Sequence, residues 1–218
     1  MSKSKMYHLI ILDRSGSMSN KISATVEGFN LQLDGIKSDI EKNSDQEHVI
    51  SLIDFGDDVN VSIWKKSVDD IKPMTDTSFK DMISGCTALW DAIGTGANSL
   101  RNEIVEDLSD ENTKVFVTIF TDGLNNASKT FSAKDCSGLI KEMKSTDQWA
   151  FALVGCDDSI FDVADQLNIS RKSTLRVDNN QQGVRMAFGS LSAARTRMSA
   201  QSGEGFSRSI DSVFGEEE

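Results

Sequence analysis

The stretch Tyr7-His8-Leu9-Ile10-Ile11-Leu12-Asp13-Arg14-Ser15-Gly16-Ser17 decides the fold. Its first half is a short apolar run, partly β-branched and flanked by polar residues, and it reads as a buried strand. Its second half sets a carboxylate and two hydroxyls, those of Asp13, Ser15 and Ser17, at alternate positions in one tight loop. Oxygen donors of mixed charge converging at the end of a strand suit a hard divalent cation such as Mg²⁺.

Outward from that stretch, strand and helix patterns alternate. From Lys21 to Lys42, apolar residues at Ile22, Val26, Phe29, Leu33, Ile36 and Ile40 follow helical spacing. Residues 49–55 read as a strand, Gly56-Asp57-Asp58 as a turn, and the alternating Val59 to Trp64 as an antiparallel hairpin partner at a sheet edge. Pro73 precedes a short helix near 78–83, and a longer helix is expected over Ala88 to Leu108. The strongly apolar Lys114 to Phe120 should be a central strand. Ser132 with Asp135 resembles a capping box that opens a helix running to Lys144. A strand at 149–154, a helix at 159–167, a short strand at 174–177 and a helix at 181–198 complete the pattern. This order predicts an open, doubly wound, mostly parallel six-stranded sheet with one antiparallel edge strand and helices on both faces. Ligands in such sheets bind beyond the carboxyl ends of the strands, at the switch point of the winding.

Two further segments bear on the loop at Asp13. Gly85-Cys86-Thr87-Ala88-Leu89-Trp90-Asp91 places a threonine before a helix, and Val115 to Phe120 runs into Thr121-Asp122-Gly123. Together with Asp13-Arg14-Ser15-Gly16-Ser17, and in this order, they resemble the three segments of the metal-ion-dependent adhesion site of von Willebrand factor type A (vWA) domains. The resemblance implies a Rossmann-like vWA fold over roughly residues 7 to 198. It implies a metal held by Asp13, Ser15, Ser17, Thr87 and Asp122, with Mg²⁺ or Mn²⁺ as the ion. It also implies an outside ligand, a protein presenting Asp or Glu, whose carboxylate completes the coordination shell. Within the family the chain looks most like small stand-alone bacterial members, some encoded in tellurite-resistance and related stress clusters. Taken singly, Asp13, Ser15 and Ser17 could cap a helix and Asp122-Gly123 could be a turn pair. Three segments in order make coincidence the poorer account.

Composition narrows the function further. A chain of 218 residues suffices for one α/β domain, and 38% hydrophobic with 26% charged residues is ordinary for a globular protein. The net charge of −11 argues against nucleic acid and against anionic membrane as partners. No apolar run is long enough for a membrane span or a signal h-region. Cys86, Cys136 and Cys156 form neither a disulfide framework nor a zinc pattern, which points to a reducing, cytoplasmic location. Residues 1–198 are expected to form the domain. The 199–218 segment, rich in Ser, Gly and Glu, reads either as a partly disordered tail or as a segment docking through Phe206, Ile210 and Phe214.

The expected function is metal-dependent protein binding, in a bacterial stress-response or signalling assembly, and not catalysis. His8 and His48 both sit in strands and read as structural, so Ser15 and Ser17 lack a base. No Walker A, G-x-S-x-G or H-E-x-x-H pattern occurs. The alternatives are a metal-dependent hydrolase of phosphatase type and a structural metal without an outside ligand. Among neighbouring residues, Cys86 is expected to be buried, and Asp91 either orients the site or favours a helix dipole. Asn125-Asn126 are ligand contacts or turn residues, while Arg14 and Met18 point from the loop and could shape selectivity.

Overall fold

A computed structural model of the protein describes residues 4–43, 45–178, 180–201, 206 and 209–215. Six strands form one sheet: β1 (Ser4–Asp13), β2 (Gln46–Phe55), β3 (Val59–Lys66), β4 (Lys114–Phe120), β5 (Trp149–Gly155) and β6 (Thr174–Arg176). Their order is β3-β2-β1-β4-β5-β6, parallel throughout except for β3, which runs antiparallel to β2 at one edge. The helices are α1 (Ile22–Lys42), α2 (Asp76–Met82), α3 (Leu89–Glu103), α4 (Ala133–Lys144), α5 (Ser159–Leu167) and α6 (Gln181–Ala200).

The apolar runs are continuous because the central strands are covered on both faces. Along β1, Met6, Ile10 and Leu12 pack with Phe29, Leu33 and Ile36 of α1 and with Phe188 and Leu191 of α6. Tyr7, Leu9 and Ile11 face the opposite layer, with Ile93 and Leu100 of α3 and Ile140 of α4. Successive residues of a strand point to opposite faces, so one run of six residues feeds both cores. The edge strand β3 is half-buried or exposed along its whole length, with Val61 56% exposed.

The winding reverses at the β1–β4 pair. From β1 the sheet grows through β2 to β3 on one side, and from β4 through β5 to β6 on the other. Leu12 lies opposite Phe120, so Asp13 and Thr121 leave the sheet side by side. Residues 108 positions apart in sequence thereby meet at the mouth of the switch point.

Some boundaries differ from the sequence reading. β1 begins at Ser4, since Ser4 to Met6 continue the register against Gln46 to His48. The helix expected to reach Leu108 ends at Glu103 and gives way to a 3-10 turn at Asp107–Ser109. Asp107 in that turn accepts from Lys5 at 2.8 Å and from the Tyr7 hydroxyl, which draws the chain across the end of β1. Ile104 is nevertheless buried and Leu108 packs on the core, so the apolar stripe outlasts the helix. Of the 199–218 segment, residues 202–205, 207–208 and 216–218 lie outside the described residues. Phe206, Ile210 and Val213 are buried on the α1/α6 side. The Val213 N–H donates to Ser173 Oγ at 3.2 Å and the Phe214 N–H to the Lys172 carbonyl at 3.0 Å.

Candidate functional site

Three loops meet beyond the carboxyl ends of β1 and β4. The first follows Asp13 and contains a 3-10 turn over Gly16–Asn20. Asp13 is fully buried, and both its oxygens are engaged: Oδ1 accepts the Ser15 N–H at 2.8 Å and Oδ2 the Thr121 hydroxyl at 2.7 Å. Burial, with the charge of Asp122, outweighs those hydrogen bonds and raises the Asp13 carboxyl above its usual range.

Arg14 fixes the first loop against its neighbours. Its Nε donates to Asp54 Oδ1 at 2.6 Å, and its Nη1 reaches Ser84 Oγ at 3.0 Å and the Met82 carbonyl at 3.3 Å. Its backbone bonds to the Phe55 carbonyl and the Ser84 N–H at 2.8 and 3.0 Å. Arg14 and Met18 are both buried, so neither is offered to a partner, in contrast to the selectivity role considered from the sequence.

The second loop is stitched to the first by the Gly16 N–H on the Gly85 carbonyl, 3.0 Å. Gly85 has φ +75°, and a Cβ there would lie 1.8 Å from Asp57 Oδ2, so only glycine fits. Asp57 Oδ1 in turn accepts the Cys86 N–H at 2.9 Å. Cys86 is exposed rather than buried as expected, because the turn faces solvent. Thr87 is held at both ends by the third loop. Its N–H donates to Asn126 Oδ1 at 2.8 Å, and its carbonyl accepts from the Asn126 and Ala127 N–H groups at 3.0 and 3.2 Å.

The third loop follows β4. Asp122 Oδ1 accepts the Ser17 hydroxyl at 2.8 Å, and Ser17 Oγ lies 3.1 Å from Ser15 Oγ. Asp122 Oδ2 accepts the Lys21 ammonium, which also lies 3.3 Å from Asp157. Asp91, in the first turn of α3, accepts the N–H groups of Lys129, Thr130 and Phe131 at 2.8 to 2.9 Å and anchors the far side of this loop. Burial raises its carboxyl, but these three bonds more than offset that and hold it below the usual range. Asn125 Oδ1 takes the Ser128 hydroxyl and the Trp90 N–H, so both asparagines of the loop brace it.

The structure thus brings Asp13, Ser15, Ser17 and Asp122 into one chain of polar contacts and fixes the backbone of Thr87 beside them through Asn126. These are the residues that could hold a divalent cation. Among the described residues no three His, Cys, Asp or Glu side chains gather as a metal cluster, so any such centre must draw on hydroxyl oxygens. The sequence reading missed Lys21 and gave Thr121 no role of its own, while Asn126, read as a ligand contact or a turn residue, braces the third loop against Thr87. Thr121 and Asn126 stand next to Asp122 and inside the third loop, where adjacency was the available signal. Lys21 was legible only as the start of a helix, since nothing local says where its ammonium reaches.

The two histidines lie elsewhere. His8 and His48 stack with centroids 5.2 Å apart, joined by an Nε2···Nδ1 contact of 3.0 Å. Burial lowers both, His8 well below 6.5 and His48 to about 4. Among the described residues no helix is long and apolar enough to cross a membrane.

Comparison with family models and with curated proteins found no match. Solved structures do resemble the chain. The pilus adhesin SpaC from Lactobacillus rhamnosus GG, in its open conformation, matches with a TM-score of 0.65 and 13% identity, over 89% of this chain and 30% of the adhesin. The PilB minor pilin from Streptococcus sanguinis matches with a TM-score of 0.56 and 12% identity, over 89% of this chain and 62% of the pilin. Manganese-loaded TRAP protein from Plasmodium vivax matches with a TM-score of 0.53 and 13% identity, over 86% of this chain and 74% of that one. The chain therefore spans less than two thirds of the pilin's length and under a third of the adhesin's. At these identities the likeness shows the fold, which is vWA-like and α/β.

Proposed function

We propose that the chain is a divalent-metal-dependent protein-binding module, with the ion held by Asp13, Ser15, Ser17, Thr87 and Asp122. The observation that carries this reading is a pair of spacings. Ser15 Oγ to Ser17 Oγ is 3.1 Å and Ser17 Oγ to Asp122 Oδ1 is 2.8 Å. Oxygens at adjacent corners of an octahedron about a Mg²⁺-sized ion, with bonds near 2.1 Å, are about 3 Å apart. The hydroxyls and the carboxylate are thus already spaced as neighbouring ligands, and their present contacts are ones an ion would replace.

The donor set also supports the choice of outside ligand. Ser15, Ser17 and Thr87 contribute neutral oxygens, so Asp13 and Asp122 supply all the formal negative charge among the five. Such a centre, when loaded, supplies an electrophilic position that a carboxylate can fill. Ser17 is exposed, so the approach is from solvent, while buried Asp13 and Ser15 hold the floor. Leu124, 47% exposed beside the third loop, gives an incoming Asp or Glu peptide an apolar contact next to the charge.

Binding rather than catalysis is the reading, because the only two imidazoles of the chain are stacked on one another within the strands. Ser15 and Ser17 have carboxylate and hydroxyl neighbours but no imidazole base. A cytoplasmic location and a place in a bacterial stress-response assembly belong to this proposal at its finest grain. They rest on the three free thiols and on the resemblance of the motif loops.

The test is affinity capture in Mg²⁺ and in EDTA, with the wild type and Asp13→Ala side by side. A protein retained only by wild type with metal supports the reading. Equal retention by a folded Asp13→Ala protein overturns it.

A further inference from the structure

Lys21 is the one cation bonded to a carboxylate of the candidate metal site among the described residues. Its side chain is 9% exposed, that of Asp122 1%, and the two form an ion pair. Burial works against the Lys21 charge, but the bond to Asp122, the charge of Asp122 and the contact with Asp157 together raise its pKa. Its second acceptor, Asp157 in the loop after β5, is 57% exposed and 3.3 Å away. Lys21 also lines an open cleft of about 420 Å³, together with Ser19, Asn20, Glu27 and Asn180.

We propose that Lys21 is a tethered cation that counter-charges Asp122 and must release it, stepping across to Asp157, before a divalent ion can bind. The inference rests on the metal-site reading above and adds what regulates it. Asp122 Oδ2 cannot serve an ammonium and a dication in the same direction, and two cations a few ångströms apart repel in a buried setting. Buried Asp122 would be costly without a counter-charge, and Lys21 supplies one covalently tied to the chain. Asp157 lowers the cost of release, because the ammonium moves to a wetter carboxylate it already touches. Lys21 therefore lowers affinity for divalent metal while stabilising the metal-free protein. It makes occupancy respond to metal concentration instead of saturating at trace levels.

The experiment is calorimetric titration of the full chain with Mn²⁺ alone, comparing wild type, Lys21→Met and Asp157→Asn. Lys21→Met should bind Mn²⁺ about tenfold more tightly, the worth of one charge-assisted hydrogen bond. Its metal-free melting temperature should fall, and saturating Mn²⁺ should close the gap to wild type. Asp157→Asn, at an exposed position that leaves the fold intact, should bind about threefold more weakly, as an exposed ion pair is lost. If wild type binds Mn²⁺ and Lys21→Met binds equally or less tightly, the tethered-cation proposal is overturned and the metal site stands. If folded wild type and Lys21→Met both fail to bind, the metal-site reading falls and this one with it. Should Lys21→Met not fold, Asp157→Asn decides: unchanged affinity overturns the proposal and weakened affinity supports it.

Discussion

The two ends of the sheet treat buried charge in opposite ways. At the carboxyl ends of β1 and β4, Asp13 and Asp122 are held by hydroxyls, one backbone N–H and the long side chain of Lys21. At the other end, Asp39 of α1 and Arg195 of α6 pair at 2.9 Å, each 1% exposed, and Thr196 adds a second donor to Asp39. His8 and His48 stack close by, and Arg195 bears on the protonation of both. The first set of partners includes a lysine that already has a second, exposed carboxylate within reach. The second is closed over by two packed helices, and its further contacts, Ser192 and Thr196, lie on the same helix as Arg195. A buried charge belongs to the framework when its partner is fixed, and to a site when its partner can leave.

The contrast is broken most directly by Asp39→Ala. Arg195 would remain buried without its counter-ion, and the expected loss is about 3–5 kcal/mol in chemical denaturation. A cost below that range would show that the pair is not part of the framework. Asp91→Ala removes the acceptor for three backbone N–H groups at the rim of the site. It should cost about 1–3 kcal/mol, with faster amide exchange confined to residues 125–131. Uniformly faster exchange would mean that Asp91 supports the whole fold instead.

Acid should act on the far end before the near one. The unfolded chain takes up protons on its histidines below the usual value of 6.5, whereas folded His48 does so only near 4 and burial holds His8 well below 6.5 as well. Their contribution to stability is complete above pH 6.5 and declines as the pH falls toward 4, by at most about 1.4 kcal/mol per pH unit for each histidine. Urea midpoints that stay level between pH 7 and 4 would contradict this. The smallest effect on stability belongs to Asp13→Asn, which keeps an acceptor for Ser15 or Thr121 and removes a charge that burial disfavours. Metal-free stability should change by less than about 1 kcal/mol, while stabilisation by added Mn²⁺ disappears.

What could be read in the sequence follows the same division. Strands covered on both faces appear as unbroken apolar runs, so β1, β4 and β5 were plain, and the alternating β3 declared itself an edge. Asp13, Ser15, Ser17, Thr87 and Asp122 could be singled out as candidates because each lies in a short contiguous segment beside a strand or helix. Long-range polar pairs had no such signal. Lys21 and Asp122 are 101 residues apart, Asp39 and Arg195 156. Arg14 looked like a surface residue of a polar loop and is buried on Asp54, a carboxylate that the sequence shows only as one residue of an apolar strand. Helix α3 ended early for the same reason, since Asp107 answers to Lys5 and Tyr7, not to its own neighbours.

Part of what joins the three loops is main chain to main chain: Gly16 to Gly85, Ser84 to Arg14, and Thr87 to Asn126 and Ala127. Main-chain bonds of this kind do not depend on which side chains the loops display. Positions at the rim, such as exposed Cys86 and Leu124, can accordingly change without loosening the frame. A recognition surface of the kind proposed would therefore be free to diversify while the oxygens beneath it keep their spacing, as a lens mount accepts different lenses.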